Sequence, residues 1–266
     1  MAESYKPTAS ERRELWESLS VVEDWLAGGV HRERPSLDFE AAAAREEARS
    51  AIASPRPDDS LEAIAAEVRA CVACRLCEKR TKAVPGQGPD APLALIVGEG
   101  PGAEEDSSGL PFVGPAGQLL DKMLASIGLS RETNCFIANV VKCRPPQNRD
   151  PAADEQEACL GYLKRQIALL KPKAILCVGR IAATALLGPG EGVGKLRGSW
   201  REFLGIPLLV TYHPSALLRD ESYKRPAWED LKKLRGRLQE LAPVGVPVGG
   251  AGAAVPGATA DPSATD

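Results

Sequence analysis

Leu93-Ala94-Leu95-Ile96-Val97 runs straight into Gly98-Glu99-Gly100-Pro101-Gly102-Ala103-Glu104-Glu105-Asp106, an apolar run that ends on a glycine-rich acidic turn. Five consecutive apolar residues bounded by turn signals suit a strand buried on both faces. Working outward, three further runs repeat the pattern: Cys135 to Val141, Ala174 to Val178 and Ile206 to Tyr212. Helical periodicity separates them, at 60–70, 116–127, 152–170, 180–187 and 226–239. Short apolar runs alternating with helices predict an α/β, three-layer fold around a central, mainly parallel, four-stranded sheet. Ligands in such folds bind beyond the carboxyl ends of the strands, so the residues just after each run are the candidates for function.

The turn after Val97 is not a dinucleotide loop. Its third glycine position holds Ala103, Pro101 has no N–H to offer a pyrophosphate, and three successive acids would repel one. A rigid turn of this kind suits close approach to an uncharged planar ligand and a water.

The flanks differ from this middle. Leu15, Leu19, Val22 and Leu26 recur at helical spacing and stop at Gly28-Gly29, and Pro35, Pro55 and Pro57 then punctuate an acidic, alanine-rich stretch. Residues 1–59 read as an acidic arm with one amphipathic helix, followed by at most a short helix around Phe39 to Ala53. Residues 60–240 read as the compact domain. Residues 241–266, nearly all Ala, Gly, Pro, Val, Ser and Thr, read as a disordered tail. With 44% hydrophobic and 26% charged residues the composition is globular, and no apolar stretch approaches the roughly 20 residues of a bilayer span. Met1 to Leu15 has no apolar centre of the secretory kind, so the expected location is cytoplasmic, with no membrane partner. Net charge is −3, yet residues 195–237 carry ten Lys/Arg against five Asp/Glu, an excess that a phosphate backbone would reward.

Seven cysteines in a cytoplasmic chain argue for metal rather than disulfides. Cys71 and Cys74 form a C-x2-C pair, and Cys143 and Cys159 follow 68 residues later with fifteen residues between them. Four thiolates suit zinc or an iron-sulfur cluster, and spacing does not choose between them. Cys77 extends the first pair, while Cys135 and Cys177 sit inside strand runs as small core residues.

The whole series resembles the iron-sulfur uracil-DNA glycosylases of the family-four type. It covers residues 71 to about 237, through the first cysteine pair, GEGPGAEED at 98–106, GLPFVGPAGQLLD at 109–121, NVVKCRPPQNRDP at 139–151, Cys159 and HPSALLRD at 213–220. The resemblance implies a uracil-DNA glycosylase-like fold over 60–240. It implies a structural 4Fe-4S cluster on Cys71, Cys74, Cys143 and Cys159, with Cys77 where no ligand is needed. The activity implied is hydrolysis of the N-glycosidic bond of a flipped-out deoxyuridine in single- or double-stranded DNA. That reaction leaves an abasic site and initiates base excision repair.

Such a reaction must stabilise a departing uracil anion and admit one water to the sugar. His213, of the H-P-S motif, is the expected donor to uracil O2. Asn139 can donate to O4 while accepting from N3–H, a pairing that cytosine reverses. Phe112 offers a stacking surface, Glu105 resembles the family's acid beside uracil C5, and Gly100 stands where the most active glycosylases carry a water-positioning Asp. Family-four enzymes share a Gly or Ala there, which leaves water activation to Glu99 or to the backbone. Lys142, Arg144, Arg149, Lys195, Arg197 and Arg219 are expected to meet DNA, with Leu217 or Leu218 as the wedge that fills the vacated stack. A monomer is expected, with the N-terminal arm open to a protein partner. A cluster-bearing DNA-binding module without catalysis is the alternative; it would not need Asn139, Phe112 and His213 together. No His lies between 32 and 212, so a covalent uracil trap through an inserted histidine is disfavoured.

Overall fold

The computed structural model describes residues 8–26, 38–41, 43–45 and 56–241. In chain order the elements are α1 (Ala9–Leu26), α2 (Leu61–Ala70), β1 (Ala94–Gly98), α3 (Ala103–Ser108), α4 (Pro115–Ala125), β2 (Cys135–Asn139), α5 (Ala153–Leu170), β3 (Ala174–Val178), α6 (Arg180–Leu187), α7 (Val193–Leu196), β4 (Arg201–Phe203), β5 (Ile206–Thr211), α8 (Pro214–Arg219) and α9 (Lys224–Leu241). The strands form one sheet in the order β2-β1-β3-β5-β4, parallel except for β4, which pairs antiparallel with β5.

The fifth strand corrects the expected count of four. β4 has only three residues, two of them charged, so no apolar run announces it. It returns through Leu204 and Gly205, both at positive φ, and caps the edge of β5. The segment before β1 covers the opposite edge, with Gln87 and Ile137 exchanging backbone hydrogen bonds of 2.9 and 2.7 Å.

Each central strand is buried on both faces, which is why its sequence is a continuous apolar run. Leu95 and Val97 face one core cluster with Ile64, Val68, Leu163 and Ile167, from α2 and α5. Ala94 and Ile96 face the other, with Leu120 and Leu124 of α4 and Leu231 and Leu234 of α9.

Where α2 meets α5, Arg165 is wholly buried and its guanidinium is shared by Asp59 and Glu67; its Nη1 donates to Glu67 Oε2 at 2.6 Å. Ser60 caps α2, accepting from Ala63 N at 3.0 Å. Helix α1 falls where helical spacing placed it. The short helix expected around Phe39 to Ala53 is described only in part, as helical residues at 39–41 and 43–45; of the tail expected over 241–266, Leu241 instead ends α9 and 242–266 lies outside the described residues. Among the described residues no helix is long and apolar enough to cross a membrane.

Candidate active site

The register Gly98↔Asn139 and Val178↔Thr211 brings the carboxyl ends of β1, β2, β3 and β5 to one end of the sheet. A cleft opens there, and Glu99, Gly100, Glu105, Phe112, Asn139 and His213 all line it.

Asn139 ends β2 and is 2% exposed. Its Oδ1 is the buried side-chain polar atom, among the described residues, that has no hydrogen-bond partner. Leaving such an acceptor unmade costs about 1–3 kcal/mol, so its position facing a cleft calls for a donor from outside. The close approach that creates this floor depends on Gly98, where an added Cβ would lie 2.4 Å from Asn139 Oδ1 and 2.5 Å from Phe112 Cζ.

His213 is the N-cap of α8. Its Nδ1 accepts from the Ser215 backbone N–H at 3.1 Å and lies 2.8 Å from Ser215 Oγ, which assigns the ring proton to Nε2. Burial first, and the Arg219 charge second, push its pKa down to about 4, so at neutral pH the ring is an uncharged donor. The rings of Phe112 and His213 stand 5.7 Å apart at 33°.

Glu99 follows β1, its backbone carbonyl accepting from Val141 N–H at 3.1 Å. Burial, then the neighbouring Asp150 carboxylate, push its carboxyl up to about 7 against the opposing pull of Arg180. Arg180 and Asp150 pair at the cleft rim. Glu105 is fully engaged by backbone: Oε2 accepts from Gly102 N–H at 3.0 Å, and Oε1 from Val113 and Gly114 N–H at 2.9 and 3.0 Å. Phe112 is 6% exposed, packing into the core on one side and lining the cleft on the other.

Cys71, Cys74, Cys77, Cys143 and Cys159 line a second, small pocket, beside Arg80, Lys142 and Tyr162. Three donors point at sulfur: Arg80 Nη1 lies 3.1 Å from Cys143 Sγ, Lys142 N–H 3.2 Å from Cys159 Sγ, and Ala73 N–H 3.4 Å from Cys71 Sγ. Burial pushes the Cys74 thiol up to about 11 and Cys143 and Cys159 upward as well. Among the described residues no three His, Cys, Asp or Glu side chains are grouped as they would be on a metal ion. Cys135 and Cys177 are fully buried within β2 and β3.

The residues expected at DNA divide. Lys142 is 1% exposed and donates from Nζ to Gln166 Oε1 at 2.8 Å, so its side chain points into the core and not toward DNA. Leu217, 2% exposed, packs from α8 into the core, whereas Leu218 is 52% exposed. Both Lys142 and Leu217 are corrections: apolar or basic character in a motif does not say which way a residue faces once the strand alternation has ended. Arg197 is committed to Asp230 at 2.9–3.0 Å and lies over the Tyr212 ring. Arg149 lines the cleft with its guanidinium held bidentately by the buried Glu155 at 2.7 and 2.8 Å, and Arg144 donates to Asn148 at 2.8 Å. Lys195 is exposed, and Arg219 is exposed at the cleft. Arg80, Arg131 and Arg180 escaped the sequence reading because their partners are backbone atoms or side chains far along the chain.

The family model of the uracil DNA glycosylase superfamily matches residues 85–232. The type-4 uracil-DNA glycosylase of Saccharolobus solfataricus is 44% identical over 190 residues, covering 68% of this chain and 87% of that protein. Those of Sulfurisphaera tokodaii and Thermotoga maritima are 45% and 40% identical, covering 66% and 69% of this chain and 84% and 97% of their own. A sheet in this order, a cleft at its carboxyl end and relatives matched over most of their length have one reading: the chain belongs to the uracil DNA glycosylase superfamily, on its type-4 side.

Proposed function

We propose that the chain is a uracil-DNA glycosylase that hydrolyses the N-glycosidic bond of a flipped deoxyuridine, releasing uracil, leaving an abasic site and so opening base excision repair. The unpartnered, buried Oδ1 of Asn139 carries this reading. Uracil N3–H supplies the missing donor while the Asn139 amide donates to O4; cytosine would face it with an acceptor at N3 and a donor at position 4.

The base stacks on Phe112 and is read at its Watson-Crick edge outside the duplex. As the bond from C1′ to N1 breaks, its electron pair goes to the uracil ring, and the neutral His213 donates from Nε2 to the charge on O2. A donor that is already uncharged and fixed by Ser215 needs no reorganisation to do this. Water attacks C1′ and gives its proton to Glu99, whose carboxyl, held near 7, is suited to accept one. Gly100 lines the cleft beside Glu99, where an added Cβ would lie 2.7 Å from Val141 Cγ2.

Cys71, Cys74, Cys143 and Cys159 would hold a 4Fe-4S cluster, and Cys77 lines the same pocket. The donor set fits: these thiols gather in one pocket, three N–H groups face sulfur, and a four-iron cage spreads its thiolates wider than a single ion does. Bound there, the cluster would supply a cross-link among the segment before β1, the loop after β2 and helix α5, since hydrolysis moves no electron. Arg219, Lys195, Arg144 and Arg149 would meet phosphate, with Leu218 rather than Leu217 as wedge. We place this monomer in the cytoplasm, with the arm of residues 1–59 left for a protein partner.

Incubation with a uracil-containing oligonucleotide and alkaline cleavage of the product tests the activity, and iron analysis tests the cluster. Strand scission dependent on uracil, in yellow-brown protein with about four iron atoms, is expected. DNA binding without scission overturns the enzyme reading, and colourless protein with one zinc overturns the cluster.

A further inference from the structure

Phe112 has a left-handed backbone, φ +52°, an uncommon conformation for a bulky residue with a Cβ. Something must hold it there. On one side the Arg131 guanidinium donates to two successive carbonyls of this turn, from Nη1 to Pro111 O at 2.7 Å and from Nη2 to Phe112 O at 2.8 Å. Arg131 is itself anchored by Asp121 of α4 at 2.8 and 2.9 Å, and its side chain is 10% exposed. On the other side Glu105 takes the next two amides, Val113 and Gly114, and ties them to Gly102 of the turn after β1. The turn also lies hard against α4, since a Cβ at Gly117 would be 1.9 Å from Phe112 O. Three consecutive peptide groups, from Pro111 to Gly114, are thus gripped by a cation on two carbonyls and an anion on two amides, and the one between Phe112 and Val113 is held from both sides.

We propose that Arg131 and Glu105 are positioning residues, a two-sided clamp that fixes the Phe112 ring over the base-reading floor and so sets the stacking geometry of the flipped uracil. The clamp rests on the reading of the cleft as a uracil site. Arg131 touches neither base nor sugar; it acts through Phe112. Glu105, with its oxygens occupied, shapes the wall of the cleft through the backbone. Charge alone does not make the clamp, because Arg131 uses the fork of its guanidinium to reach two carbonyls and Asp121 together, which a lysine ammonium cannot do.

The test is a double-mutant cycle on single-turnover uracil release, with DNA affinity measured in parallel. Arg131→Ala should slow release at saturating enzyme by on the order of a hundredfold, the scale of an ångström-sized misplacement, with DNA affinity little changed. In a Phe112→Ala background the same change should cost less than about threefold, because a clamp has no effect without the ring it holds. Arg131→Lys, which keeps the charge beside Asp121, should fold and still lose most of the rate. Hydrogen exchange over residues 109–117 should quicken in Arg131→Lys while the melting temperature stays near wild type. Equal losses in both backgrounds, or a rate kept in Arg131→Lys, overturn the clamp. Wild-type protein that releases no uracil overturns the functional reading instead; the exchange measurement then still decides whether Arg131 holds the turn.

Discussion

At the scale of single residues, two ionisable groups in the cleft are displaced in opposite directions for the same reason, burial of the charged form: Glu99 upward to about 7 and His213 downward to about 4. A base must be ionised to accept a proton, so single-turnover release should rise with pH to about 7 and then level, while His213 adds no limb above about 4. Glu99→Gln should lower the rate and flatten that rise; a rise that persists in the variant removes Glu99 from the role. The stability signs differ. His213 is harder to protonate folded than unfolded, so its contribution is full above about 6.5 and is lost as pH falls toward 4. Glu99 is harder to ionise folded, so its contribution is lost as pH rises from about 4.5 to 7.

Asn139→Asp separates base recognition from bond cleavage. The substitution replaces the donor toward position 4 by an acceptor, so uracil release should weaken and residual activity should shift relatively toward cytosine. Competition between uracil- and cytosine-containing oligonucleotides measures this, and an unchanged preference ratio would remove Asn139 from base reading. Glu99 and His213 were legible because each stands at the end of an apolar run, and Asn139 because it interrupts one. Arg131 was not, since its carbonyl partners lie 19 and 20 residues away and no pattern marks a bond to backbone.

At the scale of elements, the four parallel strands could be read because burial leaves them almost wholly apolar, with Asn139 and Thr211 only at their carboxyl ends. β4 could not, because an edge strand of three residues needs only backbone pairing and a turn. Lys142 shows the same limit from the other side: a lysine between Val141 and Cys143 looks like a phosphate contact, yet it spans the core to Gln166, whose Nε2 donates to Pro85 O at 2.8 Å. The packing of α2 on α5 rests on an interaction the sequence did not suggest, Arg165 with Asp59 and Glu67. Removing the arginine leaves Asp59, 3% exposed in its side chain, buried without its counter-charge, so Arg165→Ala should cost about 3 kcal/mol and lower the melting temperature. Because the first pair of cysteines follows α2 directly, the same variant should lose iron faster to a chelator. A melting temperature within a degree or so of wild type would show the network to be dispensable.

At the scale of the whole molecule, the same network moves the boundary of the catalytic unit. Composition placed the start of the domain near Ser60, because the prolines and acids of the arm end there. Asp59 is the residue just outside that line, and it is one of two carboxylates on Arg165; Arg56 in turn accepts Asp59 N–H on its carbonyl at 3.2 Å and donates from its own backbone N–H to Asp59 Oδ2 at 2.9 Å. A fragment of residues 56–241 should therefore melt near the full chain, hold iron and release uracil at the full rate. A fragment of 60–240 should be less stable by an amount close to the effect of Asp59→Ala in the full chain. Both lack the net-acidic arm and the acidic residues of the tail, so neither should bind uracil-containing DNA more weakly than the full chain at fixed salt. If 56–241 folds and keeps its iron but releases no uracil, the arm belongs to the catalytic unit. If the two fragments melt together, Asp59 contributes nothing and the boundary returns to Ser60.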